Sequence, residues 1–202
     1  MSENFISILI PTYNRPQYLE MSLKSVLQQT HKNFEVIISD NSPNNDTENL
    51  IRRLIKINND SRIRYVHHRK FDANDNWNFL RTYQTEAEWI HWLMDDDALY
   101  PNHLEMMLKS YEQFPNASLI TSGSNHVDSK GKNLRFEKYF GDKLIRMPGE
   151  EAGKLVLTGR DNFIGMPSNI LIRKKFLRSG DNACMSDEDR GFFPLIDLST
   201  WF

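Results

Sequence analysis

The feature that most constrains this chain is a repeated exchange between two hydrophobic periods over its first 125 residues. Ile6, Ile8, Leu9 and Ile10, interrupted only by Ser7, form a short apolar run rich in β-branched side chains. That is the pattern of a strand covered on both faces. Pro11 ends it. Leu19, Leu23, Val26 and Leu27 then recur at the spacing of one helical stripe. Residues 34–39 repeat the strand pattern, Leu50, Ile51, Leu54 and Ile55 repeat the helical stripe, and residues 63–67 form a third strand. A helix is predicted over 77–86 and a fourth strand over 89–94, running directly into Asp95, Asp96 and Asp97. Asn102 and Glu105 have capping-box spacing and open a helix striped by Leu104, Met107, Leu108 and Tyr111. Residues 117–122 are a fifth strand. This strict alternation predicts the α/β class, with a doubly wound, mostly parallel sheet.

Beyond Gly123 the pattern loosens. A hairpin turn is expected at 128–132, between strands at 125–127 and 134–136. A helix over 149–158, a strand over 169–173 and a short helix over 174–179 follow, and residues 179–191 are a polar loop. The chain stops at Trp201 and Phe202 inside what the pattern makes a starting helix, so the second half is expected to be truncated. With 202 residues, one domain is expected, divided into a regular half (1–125) and a looser half (126–202).

Composition removes several classes of function. With 25 basic and 27 acidic residues the net charge is −2, which gives no electrostatic reason to expect nucleic acid as a partner. Cys184 is the only cysteine, so an internal disulfide and a cysteine-type zinc site are both excluded. The first residues lack a secretory pattern, and no apolar run approaches the ~18 residues of a membrane span. A soluble cytoplasmic protein is expected, compatible with peripheral association with a membrane-borne partner.

In a doubly wound sheet, ligands bind where loops converge at the carboxyl ends of the strands. Three such ends are unusually polar: Pro11, Thr12, Tyr13, Asn14 and Arg15 after the first strand, Asp40 and Asn41 after the second, and the aspartate triplet after the fourth. Adjacent carboxylates raise one another's pKa unless a cation neutralises them. Hard divalent ions such as Mg²⁺ or Mn²⁺ take one or two carboxylates together with substrate phosphates. An isolated triplet is more often a solvated turn, but its place directly after a buried strand favours a ligand site. Asp40 can accept from a pyrimidine imide N–H or a ribose hydroxyl, or simply form an Asx turn with Asn41, Ser42 and Pro43. Tyr13 can stack on a base or cover the first helix. Asn74 and Asn76 are expected to cap a helix. The histidines form no ligand array, and His91 and the tryptophans Trp89 and Trp92 are expected in the core. No glycine-rich phosphate loop of either common type occurs.

As a set, residues 6–15, 25–30, 34–42 and 93–97, with Pro101, Leu104 and Glu105, resemble the family-two inverting glycosyltransferases of the GT-A, Rossmann-like fold. The resemblance spans about the first 125 residues in order and spacing. It implies that Pro11, Tyr13 and Asp40 hold the nucleoside of a nucleotide-sugar donor. Asp95 takes the ribose side and Asp96 the metal, with Asp97 the alternative ligand, as in a DxD motif. Asn78 stands among the nucleotide-binding positions where the family often has a basic residue. Asp197, four residues before Trp201, resembles the catalytic base, with Asp187, Glu188 and Asp189 as competitors. Mn²⁺ or Mg²⁺, a UDP-sugar donor and a glycan, glycolipid or glycoprotein acceptor are implied, in bacterial surface polysaccharide or glycoprotein synthesis. Two other readings compete: a nucleotidyltransferase, and a module that binds nucleotide-sugars without turning them over.

Overall fold

The computed structural model describes residues 4–137, 143–158 and 163–177. Eight strands and five helices follow in order: β1 (Ile6–Thr12), α1 (Pro16–Leu27), β2 (Phe34–Asp40), α2 (Asp46–Asn58), β3 (Ile63–His67), α3 (Ala73–Thr82), β4 (Trp89–Trp92), α4 (His103–Gln113), β5 (Leu119–Thr121), β6 (Ser124–Val127), β7 (Asn133–Glu137), α5 (Gly149–Thr158) and β8 (Ile170–Arg173). Six strands form one sheet in the order β3-β2-β1-β4-β8-β5, and β6 with β7 form a separate hairpin. Pairings β3/β2, β2/β1 and β1/β4 are parallel, whereas β8 runs antiparallel to both β4 and β5. The mostly parallel α/β sheet is therefore as expected from the alternating periods.

Alternation along β1 explains why the sheet is wound on both faces. Ile6, Ile8 and Ile10 pack in one cluster with Leu19, Leu23 and Val26 of α1, Ile51 of α2 and Leu104 of α4. Leu9 points the other way and packs with Leu80 of α3, Ile37, Trp92 and Ile170. Successive strand side chains face opposite layers, so an almost wholly apolar strand needs helices on both sides.

Several local expectations change. The strand expected at 169–173 is present, but it is inserted between β4 and β5, which therefore do not pair. Helix α3 begins at Ala73 rather than Trp77 and ends at Thr82. Its cap is neither Asn74 nor Asn76. The Asp75 N–H donates to Asp72 Oδ1 at 2.8 Å and the Asp72 N–H to Asp75 Oδ2 at 3.2 Å, a reciprocal capping box that satisfies two orphan donors. At α4, Asn102 makes no side-chain cap. Glu105 instead accepts from Thr30 Oγ1 at 2.6 Å and pairs with Lys109. Finally, β4 ends at Trp92, and residues 174–176 make a single 3-10 turn. The expected loop at 179–191 and the residues after it lie outside the described residues.

Candidate active site

The parallel register of β1, β2 and β4 brings three polar strand ends side by side. Thr12 is the partner of Asp40 across β1/β2, and Asp95 follows three residues after Trp92, the partner of Leu9. Thr12 Oγ1 donates to Asp95 Oδ2 at 2.7 Å. Beyond Thr12, Asn14 adopts a left-handed φ of 53°, a conformation asparagine tolerates better than most residues. Its N–H donates to Ser42 Oγ at 2.7 Å, so the loops after β1 and β2 are tied together. Arg15 follows, with Nη2 2.8 Å from Asp95 Oδ1 and Nη1 2.9 Å from Asp96 Oδ2. One guanidinium thus bridges two of the three aspartates.

Asp40 ends β2 with no exposed surface. Its Oδ1 accepts from the Ser42 N–H at 2.7 Å and from the Ser42 hydroxyl. Tyr65 of β3 donates its hydroxyl to Oδ2 at 2.6 Å. Burial first, then the bond to Asp40, pushes the Tyr65 hydroxyl well above the ordinary tyrosine range, so it stays a donor. His67, two residues along the same strand, bonds the Ser42 carbonyl through Nε2 at 2.8 Å. Asn76 of α3 fills the space beneath. It accepts from Ser39 Oγ at 2.5 Å and donates to Ser39 O at 3.1 Å and Asn41 Oδ1 at 3.0 Å. Its task is to join α3 to the end of β2, not to cap a helix.

The aspartate loop is stitched to α1 from outside the sheet. Ser22 Oγ donates to Met94 O at 3.3 Å, and Ser25 Oγ accepts from the Leu99 N–H at 3.0 Å. The buried Gln29 donates to Tyr100 O at 2.7 Å and accepts from the Leu104 N–H at 3.1 Å. From the other side Ser168 Oγ accepts from the Met94 N–H at 3.0 Å. These contacts separate the three carboxylates. Asp95 is fully buried, Asp96 has a side chain 46% exposed, and Asp97 is half-buried. Burial pushes the Asp95 carboxyl up, against the lowering effects of the Thr12 hydrogen bond and the Arg15 charge. Burial likewise raises Asp97, opposed by a hydrogen bond to Ser168 and by the nearby His126. Among the described residues no three His, Cys, Asp or Glu side chains converge as a ready-made metal cage. Asp96 is the accessible hard-oxygen group of the set.

The other expected site residues are distributed unevenly. Pro11 is buried at the end of β1, and Tyr13 stands out into solvent at 54% exposure. Asn78 is half-buried on α3 and lies about 200° round the helix axis from Asn76, turned from the Asn76 network. Asp197 and its competitors Asp187, Glu188 and Asp189 lie outside the described residues. His91 is buried and His103 half-buried, with ring centroids 5.4 Å apart, and His91 Nδ1 bonds Ile170 O at 2.8 Å. The place of His91 in the core matches the sequence expectation. Sequence reasoning named Thr12 and Arg15 only as members of a polar strand end. It named Ser42 only in an Asx turn with Asp40, which the Ser42 N–H bond to Asp40 Oδ1 bears out, and it assigned no task to Tyr65 or Ser168. For Thr12 the signal was register: a polar residue opposite Asp40 at the last position of a parallel pair. Nothing in the sequence pattern pointed to Tyr65 or Ser168.

Comparisons with known proteins agree with this architecture. The model of the family described as "Glycosyl transferase family 2" matches residues 7–180. An uncharacterized glycosyltransferase of Rickettsia bellii is 31% identical over 191 residues, covering 89% of this chain and 25% of its own length. The GalNAc(5)-diNAcBac-PP-undecaprenol beta-1,3-glucosyltransferase of Campylobacter jejuni is 28% identical over 148 residues, covering 70% of this chain and 47% of its own. The chain thus spans between a quarter and about half of the length of these relatives. Among solved structures, S. aureus TarS superimposes with a TM-score of 0.67 at 16% identity, over 98% of this chain and 55% of that one. That likeness shows a shared fold. The family match across most of the chain's length goes beyond the fold: this chain belongs to glycosyl transferase family 2.

Proposed function

We propose that this chain carries the donor-binding part of a cytoplasmic, inverting glycosyltransferase that moves a sugar from a nucleoside-diphosphate sugar, with UDP-sugars the first choice, to a hydroxyl of a glycan, glycolipid or glycoprotein. The observation that supports it most is the convergence of Asp40, at the end of β2, with Asp95, Asp96 and Asp97, after β4, on either side of the end of β1. The Campylobacter relative, whose name describes a glucosyltransferase acting on an undecaprenol-linked glycan, favours a glycolipid among these acceptors. Residues 1–125 would hold the donor and residues 126–202 would face the acceptor. Among the described residues no helix is long and apolar enough to cross a membrane, so a lipid-linked acceptor would be met from its polar side.

In this reading Pro11 and Tyr13 flank the base and Asp40 accepts from a pyrimidine imide N–H. Because Asp40 is buried beneath Ser42 and Tyr65, Ser42 must swing aside for that contact. Asp95 takes the ribose, and Asn78 lies along the donor's path. Asp96, with Asp97 beside it, would hold Mn²⁺ or Mg²⁺. Hard carboxylate oxygens with an open side fit an ion that keeps one or two protein ligands and completes its shell with phosphates. When bound, such an ion supplies charge neutralisation at the leaving diphosphate. Asp197 would take the proton of the acceptor hydroxyl as that oxygen attacks the anomeric carbon and the nucleoside diphosphate departs, inverting the centre.

A thermal-shift series with UDP-, GDP- and dTDP-sugars, each with and without Mn²⁺, tests the donor. Stabilisation by UDP-sugars, larger with Mn²⁺, is expected. Stabilisation by GDP-sugars alone would overturn the base assignment.

A further inference from the structure

The triplet is already occupied by a cation of the protein's own. Arg15 sits across Asp95 and Asp96, with Nη2 2.8 Å from Asp95 Oδ1 and Nη1 2.9 Å from Asp96 Oδ2. A planar guanidinium with two parallel donors suits such a bridge, which a lysine ammonium does not reproduce. Asp95 has no exposed surface beneath it, while the Arg15 side chain is 43% exposed. The ion pair at Asp95 Oδ1 falls outside hydrogen-bond geometry, so this buried oxygen is left without an aligned donor. At Asp95 the contact therefore holds by charge, while at Asp96 the Arg15 Nη1–H donates a directional hydrogen bond to a half-exposed carboxylate.

A second observation concerns mobility of the side chain. Arg15 is the non-helical residue before α1, with φ −132° and ψ 55° and no capping bond from its side chain. Its backbone is fixed, since its carbonyl accepts from the Leu19 N–H at 3.1 Å and its neighbour Asn14 is tied to Ser42. The guanidinium can thus leave the carboxylates without disturbing the helix or the loop.

We propose that Arg15 is a resident counter-cation for the aspartate triplet, displaced when a divalent ion takes Asp96 and then available as a positive contact for the donor's diphosphate. Charge accounting supports the exchange. Three carboxylates with one guanidinium carry a formal −2; a divalent ion in place of the guanidinium leaves −1, and a diphosphate entering afterwards needs the released cation at hand. Asn78, which provides no positive charge, cannot fill that role. This inference rests on the nucleotide-sugar reading for its second half only. The competition between Arg15 and a metal ion stands without it.

The test measures Mn²⁺ binding to the 202-residue chain by electron paramagnetic resonance without nucleotide, and UDP binding by calorimetry in saturating Mn²⁺. The proteins are the wild type, Arg15→Gln and Arg15→Lys. Arg15→Gln is expected to bind Mn²⁺ alone about three- to fivefold more tightly, the scale of one lost half-exposed ion pair, and to bind UDP in Mn²⁺ more weakly. Arg15→Lys, which keeps the charge and protects the fold, is expected between the two in both measurements. Opposite signs in the two assays are what a merely structural arginine would not produce. Unchanged or weaker Mn²⁺ binding by Arg15→Gln overturns the proposal. If no protein binds UDP while Mn²⁺ still binds more tightly to Arg15→Gln, the displacement half stands and the nucleotide-sugar reading fails.

Discussion

Asn76 provides the sharpest test of how the strand ends are held. It is 3% exposed and makes three short hydrogen bonds, accepting from Ser39 Oγ at 2.5 Å and donating to Asn41 Oδ1 at 3.0 Å and Ser39 O at 3.1 Å. A fourth contact, to Thr12 O at 3.4 Å, is too long to count for much. Truncation to alanine strands three buried partners. Asn41 cannot turn its amide round to compensate, because its Nδ2 already donates to Phe71 O at 3.1 Å. At about 1 kcal/mol for each bond, and more where a buried group is left unpaired, Asn76→Ala should cost ~3–4 kcal/mol. With a urea slope of about 2 kcal/mol/M the unfolding midpoint should fall by ~1.5–2 M. Asn76→Asp should be no better, since it keeps the acceptor for Ser39 Oγ but faces a carboxylate against two oxygens. Urea denaturation followed by tryptophan fluorescence measures both. A loss below ~1 kcal/mol for Asn76→Ala would refute the claim that this side chain ties α3 to the end of β2.

Three further outcomes are expected. Burial lowers the His91 pKa from 6.5 to about 3 and that of His103 from 6.5 to about 4. Below pH 6.5 the unfolded chain takes up protons that the folded chain refuses, so each histidine removes up to ~1.4 kcal/mol of stability per pH unit as pH falls towards those values. Asp95 and Asp97, whose pKa values are raised, act with the opposite sign, so the comparison of wild type with His103→Gln isolates the histidine; equal slopes between pH 6 and 4.5 would contradict the argument. Tyr65→Phe removes the donor on Asp40 Oδ2 and should cost ~1–3 kcal/mol in the same urea assay; a neutral result would mean that Ser42 alone supports the carboxylate. Asp96→Ala should abolish metal-dependent donor cleavage by the full-length protein while leaving its circular dichroism unchanged, and retained Mn²⁺-dependent turnover would remove Asp96 from the site.

Much of the fold is legible in local pattern because buried parallel strands and amphipathic helices leave strong, short-range periods. Ile6, Ile8 and Ile10 announced a two-sided strand, and the stripe of Leu19, Leu23 and Val26 announced the helix that covers one side. The aspartate triplet and Asp40 were visible as polar residues at the ends of apolar runs. The cap of α3 was less legible, since Asp72 and Asp75 compete with three nearby asparagines, Asn74, Asn76 and Asn78, of similar local propensity. The Asn102 cap failed because Thr30, from beyond the end of α1, and Lys109, one turn along α4, claimed Glu105.

What the sequence by itself determined is the set of elements, their order, and the chemical character of each strand end. Those follow from side-chain periodicity and turn chemistry acting over a few residues. Only the tertiary structure decided that β8 enters antiparallel between β4 and β5, because strand order depends on pairings far apart in the chain. It likewise separated three neighbouring aspartates into a buried, an exposed and a half-buried carboxylate. Adjacent residues of one type look alike in sequence. Their environments differ because Thr12, Arg15 and Ser168 reach them from strands and loops up to 83 residues away.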